Sequence, residues 1–267
     1  MFSIMRRKIF LLGALLVFLI FSAGCEAIRE RLVLEGSGNV VTITEDLVGF
    51  TRLEVSHSFD VDISQGDGYK VELRVDDNIA EYLEVTKRGN TLDIDFKESF
   101  NYTFVDGVLE ASIMMPRLEY INLSGASEAR MEGFDTNDRF EVELSGASTL
   151  VGDLGAGNIR LELSGSSDLT GDYQVDDVDI NVSGASKVTL KGSGGDVRVD
   201  VSGSSKVDLE DFESQAATID ASGASQVTLN AQGRVDASAS GASDVYQTGS
   251  GEFGRIDASG ASEIKRR

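Results

Sequence analysis

A four-residue motif recurs at a nearly constant period along the second half of this 267-residue chain. The motif reads Ser-Gly-(Ala/Ser)-Ser, and successive copies begin 21, 19, 19, 19, 20, 18 and 19 residues apart. Its eight copies begin at Ser124, Ser145, Ser164, Ser183, Ser202, Ser222, Ser240 and Ser259. Scattered enrichment in serine and glycine would not hold such a period, so each interval is expected to be one structural unit.

The residues on either side of the motif alternate between apolar and polar side chains. Val178–Val182 before one motif and Lys187–Leu190 after it are examples. A period of two is typical of a strand with one buried face. A unit of about 19 residues cannot bury its own apolar side, so it must stack on copies of itself. The sequence therefore predicts an all-β fold, a parallel β-helix (solenoid) of about 19-residue coils.

Stacking would place equivalent positions of successive coils above one another. The position two residues before each motif would form an outward polar column, which we call the acidic column. Its members are Asn122, Glu143, Glu162, Asn181, Asp200, Asp220, Ser238 and Asp257. The position three before each motif would form an inward, aliphatic core column. That column reads Ile121, Val142, Leu161, Ile180, Val199, Ile219, Ala237 and Ile256.

The motif itself is interpreted as the corner of each coil. Glycine can adopt φ > 0 and turns the backbone without a Cβ clash. Serine hydroxyls can bond backbone groups that the turn leaves unpaired. The predicted turn glycines are Gly125, Gly146, Gly165, Gly184, Gly203, Gly223, Gly241 and Gly260. A serine ladder that binds a ligand is the alternative interpretation.

Residues 38–116 are predicted to form a less regular β half, continuous with the solenoid half at 117–267. Pro116 is the only proline and stands at this boundary. The expected strands cover residues 40–44, 53–55, 59–63, 71–75 and 92–96, with turns at 66–68 and 88–90 and a short helical turn within 76–83.

Three aromatic residues of the N-terminal half, Phe100, Tyr102 and Phe104, share one face of an expected strand. They pack against the core or a cap, or they form a partner-binding edge, because exposed aromatic rows are uncommon without a partner. Both interpretations remain open.

The first 25 residues have the layout of an export signal. Three basic residues precede the apolar run 9–21, which at 13 residues is short of the roughly 20 that span a bilayer. Cys25 is the only cysteine, so it cannot form an intrachain disulfide. Its surroundings resemble a bacterial lipobox, although Ser22 stands where Leu is usual. Ordinary signal cleavage or an uncleaved anchor are the alternatives.

The lipobox resemblance implies a signal peptide at residues 1–24, a linker at 25–37, and a lipid anchor to the membrane at Cys25. It also implies a cell-envelope location. Glu26 is not the Asp associated with inner-membrane retention. We therefore expect the outer membrane in a two-membrane cell, and otherwise the outer leaflet of the cytoplasmic membrane.

Acidic residues outnumber basic ones, 45 against 24, which gives a net charge of −21. Such a surface repels nucleic-acid phosphates and anionic lipid headgroups, so nucleic-acid binding is not expected. Cationic partners remain open, and acid on a repeat surface also keeps a protein soluble.

No catalytic residues, metal site or cofactor are predicted. His57 is the only histidine, so a Ser-His-Asp triad has one candidate base, and a surface or corner position suits it better. One histidine and one cysteine cannot assemble the usual zinc ligands. Gly249–Gly254 matches a dinucleotide-binding spacing but no helix follows. Gly192–Asp196 is similar to a calcium-binding turn but occurs once.

Four stretches of the chain together carry a resemblance. They are Gly49-Phe50-Thr51-Arg52-Leu53-Glu54-Val55, Phe59-Asp60-Val61-Asp62-Ile63-Ser64-Gln65-Gly66, Met115-Pro116-Arg117-Leu118 and Ile121-Asn122-Leu123-Ser124-Gly125-Ala126. The chain resembles the bacterial family called putative auto-transporter adhesin, head GIN domain. This resemblance implies a β-helical cell-envelope protein, commonly a lipoprotein, and it supplies no catalytic residues.

Three functions stay open as hypotheses. The first is a non-catalytic adhesion or interaction module that presents acidic columns to an unknown protein or glycan. The second is a polysaccharide-active, lyase-like β-helix enzyme. The third is a self-associating scaffold, a homo-oligomer joined at solenoid ends protected only by Lys265, Arg266 and Arg267. Because the acids repeat in register, the first is favoured and the chain is predicted not to be an enzyme.

Overall fold

The computed structural model describes residues 31–97 and 100–267 of the chain. The predicted signal segment and Cys25 lie outside these described residues. The described residues form two compact units, residues 31–34 with 100–103, and residues 35–97 with 104–267. The smaller unit is centred on a two-stranded sheet of β1 (Arg31–Glu35) and β8 (Asn101–Val105).

The larger unit contains two large sheets, of 11 and 12 strands. The 12-stranded sheet has the order β2 (Val40–Glu45), β5 (Lys70–Asp76), β9 (Leu109–Met115), β4 (Asp60–Gln65), β11 (Glu128–Asp135), β13 (Thr149–Gly155), β15 (Asp168–Gln174), β17 (Lys187–Ser193), β19 (Lys206–Ser214), β21 (Gln226–Ala231), β23 (Asp244–Gln247), β25 (Glu263–Arg266).

The 11-stranded sheet has the order β24 (Phe253–Ala258), β22 (Val235–Ala239), β20 (Ala216–Ala221), β18 (Asp196–Val201), β16 (Val178–Val182), β14 (Ile159–Leu163), β12 (Phe140–Leu144), β10 (Tyr120–Leu123), β3 (Arg52–Val55), β7 (Thr91–Phe96), β6 (Leu83–Arg88). From β10 onward, even-numbered strands lie in this sheet and odd-numbered strands in the other. Each repeat coil thus gives one strand to each sheet, with a motif corner between them.

All strand pairs among β10 to β25 are parallel. Their register places equivalent positions side by side, as where Glu143 pairs with Asn122 on one side and Glu162 on the other. The predicted parallel β-solenoid is therefore confirmed. Each repeat coil contains two strands, one in each sheet.

The same type of coil begins before Pro116. β3 and β4 pair in parallel with β10 and β11, so the stack runs across the proline without a break. In the two large sheets the antiparallel pairs lie beyond this coil: β6 with β7, β2 with β5, and β5 with β9. A short helix, α1 (Asp77–Ala80), follows β5 within the region where a helical turn was expected.

The inward core column is buried in seven of its eight coils. Its members from Ile121 to Ala237 are at most 3% exposed, whereas Ile256 in the last coil is 41% exposed. The column pairs in register from strand to strand, so aliphatic side chains pack directly on one another. Removing this aliphatic surface from water is the main stabilising contribution to such a stack.

Candidate functional site

The eight predicted turn glycines lie at the corners, with φ between 75° and 79°. A Cβ built on any of them would lie 2.2 to 2.6 Å from a backbone oxygen of the preceding coil. For seven of them that oxygen belongs to the preceding motif glycine. The corner therefore needs glycine for two reasons, the left-handed backbone conformation and the close stacking of coils.

The last serine of each motif stabilises the corner through a hydrogen bond and is mostly buried. In six coils its hydroxyl donates to the carbonyl of the first serine of the same motif at 2.6 to 3.0 Å, as Ser148 does to Ser145. In the first seven motifs this serine is buried. The first serines of the motif, in contrast, are at least partly exposed. The first serines are therefore more accessible to a ligand than the last ones.

His57 occupies the glycine position of the coil that precedes the first motif. Its φ is 74°, and its carbonyl accepts a hydrogen bond from the Ala126 amide, as motif glycines do in later coils. Its Nδ1 lies 3.0 Å from Asp95 Oδ1, and its ring packs edge-on against Phe96 and Phe104. His57 is thus a corner residue, as expected.

The pKa of Asp95 reflects two opposed effects. Partial burial raises the pKa, whereas hydrogen bonds from His57 and from the Phe96 amide lower it. The hydrogen bonds outweigh the burial, so the pKa of Asp95 stays below its ordinary value. The carboxylate therefore remains ionised and holds the imidazole in place at this corner.

The acidic column and the first serines line one groove of the 11-stranded sheet. The groove has a volume of about 680 Å³ and extends from Asn122 in the first repeat coil to Ser259 in the last. Between the two columns stands a buried residue of each coil, such as Leu144, which contributes to the floor. The groove thus presents a carboxylate or other polar side chain and a hydroxyl once per coil, about every 4.8 Å.

Arginines two positions earlier on the same face neutralise part of the acidic column. Arg160 lies 2.5 Å from a Glu162 oxygen and 3.6 Å from an Asp179 oxygen. Arg198 lies 3.1 Å from an Asp200 oxygen and 3.7 Å from an Asp220 oxygen. These pairs are exposed, so their value lies in fixing the carboxylates more than in stability.

A buried tyrosine lies beside the acidic column in the first repeat coil. The Tyr120 hydroxyl donates to Glu143 Oε2 at 2.8 Å, and the Arg52 guanidinium stacks 3.7 Å from the centre of its ring. Burial first, and then the hydrogen bond to the carboxylate, raise the pKa of Tyr120 to about 12. Tyr120 therefore stays protonated and donates to Glu143 throughout the physiological pH range.

Two carboxylates that the repeat search did not include extend the acidic column. Glu54 pairs with Asn122, and Asp93 pairs with Glu54, so the column continues over β3 and β7. Burial, and then the neighbouring carboxylates of Asp95 and Glu54, raise the pKa of Asp93. The available signal was the run 53–56, which has the same order of aliphatic, acidic, aliphatic and serine residues as later coils.

The three aromatic residues of the predicted row belong to two different units. Phe100 and Tyr102 belong to the smaller unit, where their ring centres lie 6.1 Å apart. Phe104 belongs to the larger unit, where its ring centre lies 4.6 Å from that of Phe96. All three are half-buried. Phe104 therefore packs on the same corner as His57.

The glycine-aspartate turn beside β17 has a structural explanation. Gly192 pairs with Tyr173, which is fully buried, and a Cβ on Gly192 would lie 2.1 Å from the Tyr173 carbonyl oxygen. Asp177 Oδ1 accepts a hydrogen bond from the Asp196 amide at 2.9 Å. Within the described part of the chain, no group of three or more His, Cys, Asp or Glu residues could hold a metal ion. Helices long and apolar enough to cross a membrane are likewise absent from residues 31–97 and 100–267.

Solved structures with this fold are known. A "putative lipid binding protein" from Parabacteroides distasonis is 20% identical, with a TM-score of 0.81, and the match covers 88% of this chain and 100% of that one. A "putative adhesin" from the same species is 18% identical (TM-score 0.80; 88% and 100% covered), and one from Parabacteroides merdae is 13% identical (TM-score 0.82; 88% and 99%). At these identities the likeness shows the fold alone.

The family comparison covers most of the sequence. A search of the curated proteins finds no match to this chain. The family model described as "Putative auto-transporter adhesin, head GIN domain" matches residues 49–251, which contain the acidic column up to Ser238. The family resemblance noted in the sequence is therefore confirmed, and the chain belongs to the auto-transporter adhesin, head GIN domain family.

Proposed function

We propose that this protein is a non-catalytic adhesion module of the cell envelope, tethered by a lipid on Cys25, whose groove binds a polar protein or glycan partner. The groove along the acidic column carries this proposal. It offers a row of carboxylates and hydroxyls at one constant spacing, which suits an extended chain with a repeating polar edge. The family description and the adhesin names of two neighbours support an envelope role.

A lyase-like or hydrolytic enzyme is the less supported alternative. Such a site would concentrate acid and base groups at one place with separated pKa values. Here the acids repeat in register along the sheet, and Arg160 and Arg198 pair with acidic residues in two separate coils. The His57 and Asp95 pair lies at a corner outside the residues that line the groove. These arrangements favour binding over turnover.

The name of one neighbour raises lipid as a ligand. Besides buried aliphatic residues such as Leu144 in its floor, the groove of the present chain is lined by carboxylates, amides and hydroxyls. Covering such groups with an acyl chain would cost free energy because they would lose their water without gaining partners. We therefore propose a polar partner.

The groove is tested by blocking it at its centre. Ser202 lines the groove, whereas Ser204 is exposed at the adjoining corner and does not line it. We expect Ser202→Arg to weaken capture of envelope proteins or panel glycans by the full-length chain by about tenfold or more, since a bulky side chain would fill the groove. Ser204→Arg adds the same charge and is the matched control.

Two outcomes would contradict this function. If both variants capture the partner as well as the unmodified chain does, the binding surface is not the groove. If the full-length chain reproducibly releases products from acidic or neutral glycans, the protein is an enzyme.

The lipid anchor has a separate test. Cys25→Ser removes the only thiol of the chain, so incorporation of labelled fatty acid in cells is expected to fall to background. Gly24 and Glu26 stay unchanged in this variant, which keeps the surrounding signal intact. Undiminished labelling of Cys25→Ser would disprove lipidation at this residue.

A further inference from the structure

The last coil of the solenoid has two open edges. β24 and β25 are the terminal strands of the 11-stranded and 12-stranded sheets, and no described strand pairs with their outer sides. The core column is also uncovered here, since Ile256 is 41% exposed while its counterparts in earlier coils are at most 3% exposed. Unpaired edges that carry exposed aliphatic residues are surfaces that can pair with another chain.

Both edge strands have the same pattern around a central isoleucine. β24 contains Arg255-Ile256-Asp257, and β25 contains Glu263-Ile264-Lys265. Each isoleucine is thus flanked by one basic and one acidic residue. In an antiparallel pair of two copies of such a strand, centred on the isoleucine, each basic residue lies opposite the acidic residue of the other copy. Parallel stacking in register would instead place like charges side by side.

We propose that two copies of this chain associate through these edges about a two-fold axis, with β24 antiparallel to β24 and β25 antiparallel to β25. The contact would bring the Ile256 side chains of the two copies together and close both cores. The Arg255 side chain, which already interacts electrostatically with Asp236, would face Asp257 of the other copy across the axis. A contact of this kind is closed, so it ends at a dimer.

The charge of the last coil permits this contact. Residues 251–267 contain four basic residues (Arg255, Lys265, Arg266, Arg267) and three acidic ones (Glu252, Asp257, Glu263). The chain as a whole has a net charge of −21, so most of its surface repels a second copy. The two-fold contact therefore uses a part of the molecule that does not share the overall excess of negative charge. It is a property separate from adhesion, because of the groove-lining side chains it pairs only Asp257, in the last coil.

Cysteine cross-linking of the full-length chain in membranes tests the axis. Residues opposite each other in an antiparallel pair lie about 4.5 to 5.5 Å apart between Cα atoms, within reach of a disulfide. Ile256→Cys, and separately Ile264→Cys, is expected to give a reducible dimer on mild oxidation. Val151→Cys is the matched control, since Val151 is 44% exposed but lies in β13, within the stack. Dimer yields no higher than those of this control would overturn the proposal.

A charge exchange tests the register. Arg255→Asp in the Ile256→Cys background places like charges opposite each other and is expected to lower the dimer yield by roughly fivefold. Adding Asp257→Arg reverses the pattern and is expected to restore the yield. A yield that does not recover in the exchanged variant would rule out the antiparallel register about Ile256, even if the single variant is impaired.

Discussion

At each corner the absence of a Cβ atom in glycine allows both the positive φ and the close approach of the preceding coil. The motif glycines have φ near 77°, and the space that a Cβ would fill is occupied by the carbonyl oxygen of the coil before. His57 shows that the backbone conformation alone does not require glycine. It adopts φ 74° in the first coil, where the neighbouring strand is β7 and its side chain reaches Asp95. Glycine is thus needed at the corners because coils of the same kind stack there.

Gly184→Val tests this double demand. Its Cβ would lie 2.3 Å from the Gly165 oxygen, and a β-branched residue is strained at φ 78°. We expect a loss of about 3 kcal/mol or more and a melting temperature lower by roughly 8 °C, measured by thermal unfolding. Gly49→Val is the control, since Gly49 has φ 73° but nothing within 4 Å of its Cβ position. Equal losses in the two variants would show that stacking adds nothing.

Parallel strands in register bring like side chains together, which stabilises the fold where they are aliphatic and destabilises it where they carry the same charge. The core column gains from this arrangement, since aliphatic side chains meet their equivalents. In the acidic column the same arrangement brings carboxylates together, and ion pairs of Arg160 with Glu162 and of Arg198 with Asp200 and Asp220 offset part of the repulsion. At β7, Asp93 lies beside Glu54 and near Asp95, and its pKa is raised by burial and by these charges.

Asp93→Asn is therefore expected to stabilise the protein at neutral pH. A carboxyl whose pKa is raised in the folded state destabilises that state when it is ionised. The penalty is absent below the unfolded pKa of about 4 and grows as pH rises through the folded pKa. Thermal unfolding at pH 7 should show a gain of about 2 °C over the unmodified chain, which disappears near pH 3. A gain of the same size at both pH values would point to a cause other than charge.

Strands could be predicted from the sequence wherever a repeat supplied their register. The positions before and after each motif predicted the core and acidic columns residue by residue, and the pairing in the stack agrees. The N-terminal strands lack such a guide. β9 lies between β5 and β4, and β6 forms a hairpin with β7, although neither β6 nor β9 was expected. Their places are set by long-range pairing, which alternation alone does not encode.

The groove shows the same limit at the level of the site. The repeat predicted the acidic column over eight coils, which is one side of the groove. The other side is formed by the first serine of each motif, and the repeat does not show which serine faces outward. The extension through Glu54 and Asp93 was hidden because His57 replaces glycine in that coil. Likewise, the pairing of Gly192 with Tyr173 depends on two coils at once and was not visible in either.

On the scale of the whole solenoid, each coil contacts mainly its two neighbours. Stability in such a stack is approximately a sum over coils and over the interfaces between them. The described solenoid coils share the same corner and the same pair of strands, so most interfaces are chemically alike. A coil in the middle of the stack should therefore be removable if the register of the rest is kept.

Deletion of residues 164–182 tests this additivity. It removes 19 residues and joins Leu163 to Ser183, so a motif again follows an aliphatic residue. We expect a β-rich far-UV spectrum, cooperative unfolding and a melting temperature lower by about 5 °C. Deletion of residues 164–173 removes fewer residues, but it removes only half a coil and so disrupts the register of the coils that follow. This variant should lose cooperative unfolding. If the shorter deletion proved the milder one, the coil would not be the unit of stability.

The interchangeable coil has a consequence for how such proteins can change over generations. Unequal recombination within the gene can insert or remove one 19-residue segment. The sequence and the register of the remaining coils would stay unchanged. Each event would lengthen or shorten the groove by one step of about 4.8 Å. The number of units of a linear partner that the groove binds could thus change during evolution without any new type of contact, because every coil presents the same groups at the same spacing.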